Sequence, residues 1–120
     1  MSGDRRNVHS EQVAEHFGVL GNRRRLLTIQ YLSLFDTGTA VDVRQVARII
    51  RGVELDRPPR EVGTADYESA YNSLIQLHLP KLDDEGIIEY DRDRKTVFVT
   101  PRTAVFGFLA SFGGVALYMV

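Results

Sequence analysis

Between residues 11 and 85, apolar positions recur at helical spacing in four stretches. Two short runs of strand-forming residues come next, and Thr103 to Val120 carry no charge. Ser10 before Glu11-Gln12-Val13 marks a helix start, and Val13, His16, Phe17 and Leu20 share one face, which predicts a helix over Glu11–Val19. After Asn22 a second helix is expected over Arg23–Phe35. Its broad apolar face joins Leu27, Tyr31 and Leu34 with Leu26, Ile29 and Leu32, as suits a helix central to a small core. Ala40-Val41 reads as a short strand added to the later hairpin. Asp42 caps a third helix, Val43–Val53, with Val43, Val46, Ala47 and Ile50 facing inward and Arg44, Arg48 and Arg51 forming a basic stripe outside. Gly52–Gly63 reads as a connector, in which Pro58-Pro59 cannot be helix interior.

The stretch Thr64–Thr100 organises the rest. Thr64 is the expected N-cap, Asp66 and Glu68 suit the first turn, and Tyr67, Tyr71, Leu74 and His78 line one face with Ala70 and Leu77 beside it. Pro80 is expected to interrupt this helix, Lys81–Glu85 to restart it for a turn, and Gly86 to stop it. Strands at Ile87–Tyr90 and Thr96–Thr100 then flank a charged tip, Asp91–Lys95. A helix followed at once by a small hairpin is the second half of a winged helix-turn-helix. The predicted fold is therefore mainly α with a small β-hairpin wing: an N-terminal arm and helix over 1–21, a winged helix-turn-helix over 22–100, and an apolar C-terminal dimerisation helix over 101–120.

Composition narrows the chemistry. A chain of 120 residues supports one domain and one core. Without cysteine, disulfides, thiolate zinc sites and thiol redox centres are excluded. A net charge of −1 gives no global attraction to nucleic acid. Thirteen of the fifteen basic residues are Arg, a bias that suits a high-salt cytoplasm or reflects GC-rich codons. MSGDRRNVHS has no apolar core of a secretory signal, so a cytoplasmic location is expected. His9, His16 and His78 lack metal-ligand spacing, and His78 is expected as a hydrogen-bonded core residue. No nucleophile–base pair, glycine-rich phosphate loop or paired general acid is apparent, so no enzyme, cofactor, metal or small-molecule substrate is expected.

Three groups of residues carry candidate binding chemistry. Opposite the apolar face of the Thr64 helix lie Ser69, Asn72, Ser73 and Gln76, small and polar, and Asn and Gln can bond adenine bidentately in a major groove. Arg48, Arg57 and Arg60 are placed to meet phosphates, as are Arg92, Arg94 and Lys95 on the hairpin tip. Arg23-Arg24-Arg25 oppose the dipole of the helix they begin, so they are expected to contact phosphate or to pair with carboxylates of the Glu11–Val19 helix or of a partner chain. In the tail, Phe106, Leu109, Phe112 and Leu117 are expected in a homodimer interface together with Phe17. A membrane anchor is the alternative, since eighteen uncharged residues reach the minimum span.

The runs LGNRRRLLTIQYL and YNSLIQLHLPKLDDEGIIEYDRDRKTVFVT resemble the PadR-like winged helix-turn-helix regulators of haloarchaea, over about Leu20–Thr100. His78-Leu79-Pro80-Lys81-Leu82 with Gly86 and the following strand is the most specific part. The resemblance implies a homodimeric transcriptional regulator that binds double-stranded DNA at a pseudo-palindromic operator in high salt. The group includes an oxidative-stress regulator. It carries the recognition-helix role onto Ser69–Gln76 and the wing role onto Asp91–Lys95. The connector departs from it, being longer than the usual turn of about 3–4 residues. The rival expectation is a docking or membrane-tethered winged helix that does not read DNA.

Overall fold

Five α-helices and three short strands make up the part of the chain described by the computed structural model, residues 23–119, with side chains described as far as Phe112. The order is α1 (Arg23–Leu32), β1 (Ala40–Asp42), α2 (Val43–Leu55), α3 (Thr64–Ser73), α4 (Leu79–Asp84), β2 (Ile88–Asp91), β3 (Thr96–Val99) and α5 (Pro101–Met119). A 3-10 turn at Pro59–Glu61 lies in the connector, and a π turn at Leu74–His78 joins α3 to α4. The domain is mainly helical with one antiparallel sheet in the order β1-β3-β2. Val41 pairs with Val97 and Glu89 with Phe98, so β1 does extend the hairpin. The helix expected over Glu11–Val19 lies outside the described residues.

The core is built from Ile29 and Leu32 of α1, Val43, Val46, Ala47 and Ile50 of α2, Ala70, Leu74, Leu79 and Leu82 of the α3–α4 run, and Ile87, Ile88, Val97 and Val99 around the sheet. Asp42 caps α2 as expected, its Oδ1 accepting from the Arg44 backbone N–H at 2.8 Å. At the other end Asp56 takes the left-handed conformation, and the Arg57 N–H reaches back to the Gly52 carbonyl at 2.9 Å. Gly52 is needed there because a Cβ would stand 2.8 Å from the Arg57 carbonyl oxygen.

Two expectations about faces need correction. On α1 the buried residues are Thr28, Ile29 and Leu32, whereas Leu34 falls beyond the helix in the following turn and is largely exposed. The face is set by α5, which covers the Ile29–Ser33 side. Further along, Gly63 rather than Thr64 is the N-cap of α3, and Pro80 does not break the helical run. A proline has no N–H and clashes with the carbonyl four residues back. The π turn resolves both problems, with the Leu79 N–H donating to Leu74, five residues back. One extra residue in that turn rotates α4 by about 100° relative to α3. Leu79 and Leu82 thereby come onto the buried face and Leu77 is turned out, 54% exposed.

Gly86 closes α4 with φ +72°, and the Ile87 N–H bonds back to Leu82 at 3.0 Å, as in a Schellman stop. The strands run one residue later than expected at the start of the hairpin and one shorter at its end. Thr100 and Thr103 both donate to the Ile87 carbonyl, at 2.8 and 2.6 Å, and fix α5 to the sheet at its first turn. Pro101 opens α5 at a position where its missing N–H costs nothing. Among the described residues, no helix is long and apolar enough to cross a membrane.

Candidate functional site

Ser69, Asn72 and Gln76 are exposed along one side of α3 and its π turn. That side offers hydroxyl and amide groups with Glu68 as the neighbouring carboxylate. Ser73 does not belong to it. Its Oγ accepts from Arg24 Nη1 at 2.7 Å and donates to the Ala70 carbonyl at 3.2 Å, so the expected fourth contact residue is half-buried and turned toward α1.

The arginine stripe on α2 also divides. Arg48 remains exposed, its guanidinium 4.6 Å above the centre of the Tyr67 ring. Tyr67 in turn lies 5.6 Å from Tyr71. Arg48 thus connects α2 to the first turn of α3. Arg44 pairs with Asp42 at 2.8 Å, and this hydrogen bond holds the Asp42 carboxyl below its usual range. Arg51 turns inward to Glu54 at 3.3 Å and Asp66 at 2.8 Å, so it is no part of a free basic surface. Arg57 and Arg60 are exposed on the connector, Arg57 closing the turn with Gly52 through its backbone N–H.

The hairpin tip is stiffer than its charge pattern suggests. Asp91 Oδ1 accepts from the backbone N–H groups of Asp93 and Arg94, at 3.1 and 3.0 Å, so this carboxylate closes the turn. Lys95 has φ +49°, and its Nζ donates to the Arg92 carbonyl at 2.8 Å. Lys95 is half-buried and folded back, leaving Arg92 and Arg94 as the exposed cations of the tip. The Lys95 carbonyl accepts from the Val43 N–H at 3.0 Å, which seats the tip against the start of α2. Just before the tip, burial pushes the Tyr90 phenol up; nearby Tyr71 adds to this and Arg92 opposes it.

On α5, Phe106 is half-buried against the domain's own core, with Arg102 5.4 Å from its ring, and so leaves the expected interface. Leu109 and Phe112 are exposed together with Val105 and Phe108, which sequence reasoning passed over. These four recur at i, i+3, i+4 and i+7 and form one apolar stripe. That spacing was the available signal. Phe17 lies outside the described residues, as does the side chain of Leu117.

A family model, Domain of unknown function (DUF7344), matches residues 17–98. The chain belongs to the DUF7344 family. Comparison with curated proteins and with solved structures gives no match. The matched part of this DUF7344 domain ends within β3 and stops short of α5.

Sequence reasoning also missed the ion pairs of the DUF7344 domain. Arg24 forks onto Glu54, with Nε at 2.9 Å and Nη2 at 2.6 Å. Arg24 thus pairs with a carboxylate of α2, which the expectation for the arginine run did not name; the helix over 11–19 that it did name lies outside the described residues. Burial pushes the Glu54 carboxyl up, but Arg24 and Arg51 together outweigh it and hold it below the usual range. His78 sits beside this group at the end of the π turn, 4% exposed, and its Nδ1 has no hydrogen-bond partner among the described residues. The expected hydrogen-bonded core histidine is in the core without that bond. Burial, then Arg25 and Arg24, lower its pKa to about 4, with Glu54 opposing.

A depressed base binds protons more readily when unfolded. Its contribution is fully present above pH 6.5 and is lost as the pH falls from 6.5 toward 4. Over that window the chain should lose on the order of 3 kcal/mol of stability through this residue. Urea midpoints measured across it should fall for the natural chain and fall much less for His78→Leu.

Proposed function

We propose that this chain is a winged helix-turn-helix transcriptional regulator that binds double-stranded DNA as a homodimer. α3 is the reading helix and the β2–β3 hairpin is the wing. The observation that carries the proposal is the exposed uncharged face of Ser69, Asn72 and Gln76 on a helix followed at once by a hairpin whose exposed cations are Arg92 and Arg94. Exposed Asn and Gln side chains without hydrogen-bond partners among the described residues suit bidentate contact with adenine, and the arginines suit phosphate. β1 pairing with β3 gives the small sheet such a wing requires. The resemblance over Leu20–Thr100 to PadR-like regulators of haloarchaea agrees with this arrangement and with a high-salt cytoplasm.

Dimerisation through α5 uses Val105, Phe108, Leu109 and Phe112, an apolar stripe whose exposure in a single chain calls for a cover. A two-fold dimer would set two reading helices about 34–36 Å apart, one duplex turn, and so demand a pseudo-palindrome. Only part of the arginine complement is open to phosphate, because Arg24, Arg44 and Arg51 are paired internally. In molar salt, where phosphate neutralisation is weak, specificity rests on the α3 face.

The test is selection of bound duplexes from a random-sequence pool by the full chain at high salt. The expected result is enrichment of a motif with two-fold symmetry and half-sites about one turn apart. Recovery of the unselected pool composition after repeated rounds overturns the proposal and favours a protein-docking winged helix.

A further inference from the structure

α3 is a weak packing element. Ala70 is its one fully buried residue, and the tyrosines beside it are half-buried. The run is anchored beyond α3 by the fully buried Leu74, Leu79 and Leu82, so the first turns of α3 are its less firmly held part. Yet its contact face has meaning only at one rotation. Polar contacts supply what the apolar packing lacks. Asp66 and Ser73 stand seven residues, two turns, apart on α3, and each is held by a guanidinium. Arg51 Nη2 of α2 meets Asp66 at 2.8 Å, and Arg24 Nη1 of α1 meets Ser73 at 2.7 Å. Both arginines converge on Glu54 of α2, whose side chain is 15% exposed.

We infer that Glu54, with Arg24 and Arg51, is a positioning residue that clamps α3 at two points and fixes the direction in which Asn72 and Gln76 face. The inference rests on the proposed reading role of α3. Ser73 lies about 100° round the helix from Asn72 and about 40° from Ser69, so the clamp borders the proposed reading face. A fork of two N–H donors on one carboxylate is directional as well as attractive. Its net contribution to stability is small, because desolvation offsets the attraction, whereas its geometry is specific. Glu54→Gln keeps the shape of the side chain and removes its charge. Arg24→Lys keeps the charge and removes the fork together with the separate donor to Ser73.

The test uses the full chain with two readouts. In amide hydrogen exchange, Glu54→Gln and Arg24→Lys should both raise exchange across Tyr67–Gln76 by about tenfold or more, with Ile29, Leu32 and Val97 unchanged. In binding, on a duplex selected by the natural chain, the ratio of specific to non-specific affinity should fall about tenfold or more, with non-specific affinity nearly constant. Unchanged exchange across 67–76 overturns the clamp whether or not the chain reads DNA. Raised exchange with an unchanged affinity ratio overturns its role in specificity. A natural chain that selects no motif removes the DNA reading alone, and exchange still decides the clamp. Wild-type behaviour of Arg24→Lys beside a defective Glu54→Gln overturns the directional argument, since charge would then suffice. If Glu54→Gln does not fold, Asp66→Asn opens only the outer end. It should raise exchange near Tyr67, and no change there counts against the inference.

Discussion

Gly107→Val is expected to cost about 3 kcal/mol and to lower the melting temperature by about 10–20 °C. Gly107 is buried where α5 crosses α1, and a Cβ there would land on the side chain of Ser33. Ser33 cannot easily move aside, because its Oγ donates to the Gln30 carbonyl at 2.7 Å and its Cβ is fixed to the helix. The Ile29 carbonyl stands 3.6 Å from the same point. Helix propensity alone predicts the opposite sign for the milder change: Gly to Ala in a helix interior stabilises by about 1 kcal/mol. Gly107→Ala should nevertheless destabilise, and the compensated pair Ser33→Gly with Gly107→Ala should recover most of the loss. Thermal melts of the three variants decide it. A stabilising Gly107→Ala would mean that α5 is not seated on α1 in this way. The same seating directs Val105, Phe108, Leu109 and Phe112 outward, so the dimer proposal depends on it.

The order of elements was readable because its signals are local. Asp42 before Val43, Gly86 after Glu85 and the double proline in the connector each fix the backbone by their own chemistry. The rotation of the helices was less readable. Leu34 was expected inside and Leu77 beside the inner face, but which side of α1 is buried depends on α5, distant in sequence. The outward turn of Leu77 depends on a π turn that periodicity at 3.6 residues cannot register. Pro80 was the available sign of that turn, since a proline inside an otherwise helical run needs some accommodation.

The candidate site divides along the same line. Asn72, Gln76 and Ser69 were legible because exposure on a helix follows from period alone. Ser73, Arg51, Lys95 and Phe106 were assigned outward and are engaged within the domain by Arg24, Asp66, the Arg92 carbonyl and the core. Each of these partners sits on another element or is fixed by a turn geometry. A polar side chain one step from a contact face belongs to whichever neighbour reaches it first, and only tertiary structure shows the neighbour.

The second large effect concerns the proposed reading face. Asn72→Ala with Gln76→Ala removes the two amide side chains while leaving the core, the clamp at Ser73 and the arginines untouched. Their exposure means that the substitution should change stability by no more than about 0.5 kcal/mol. Each bidentate amide–base contact discriminates by about 1–3 kcal/mol, and a dimer presents each of them twice. The decisive measurement is titration of the double variant and the natural chain against a selected duplex and a scrambled one, in the same high salt. The proposed function predicts about a 100-fold or greater loss of affinity for the selected duplex, with affinity for the scrambled duplex changed by less than about threefold. Equal retention of both affinities would contradict the assignment of α3 as the reading helix.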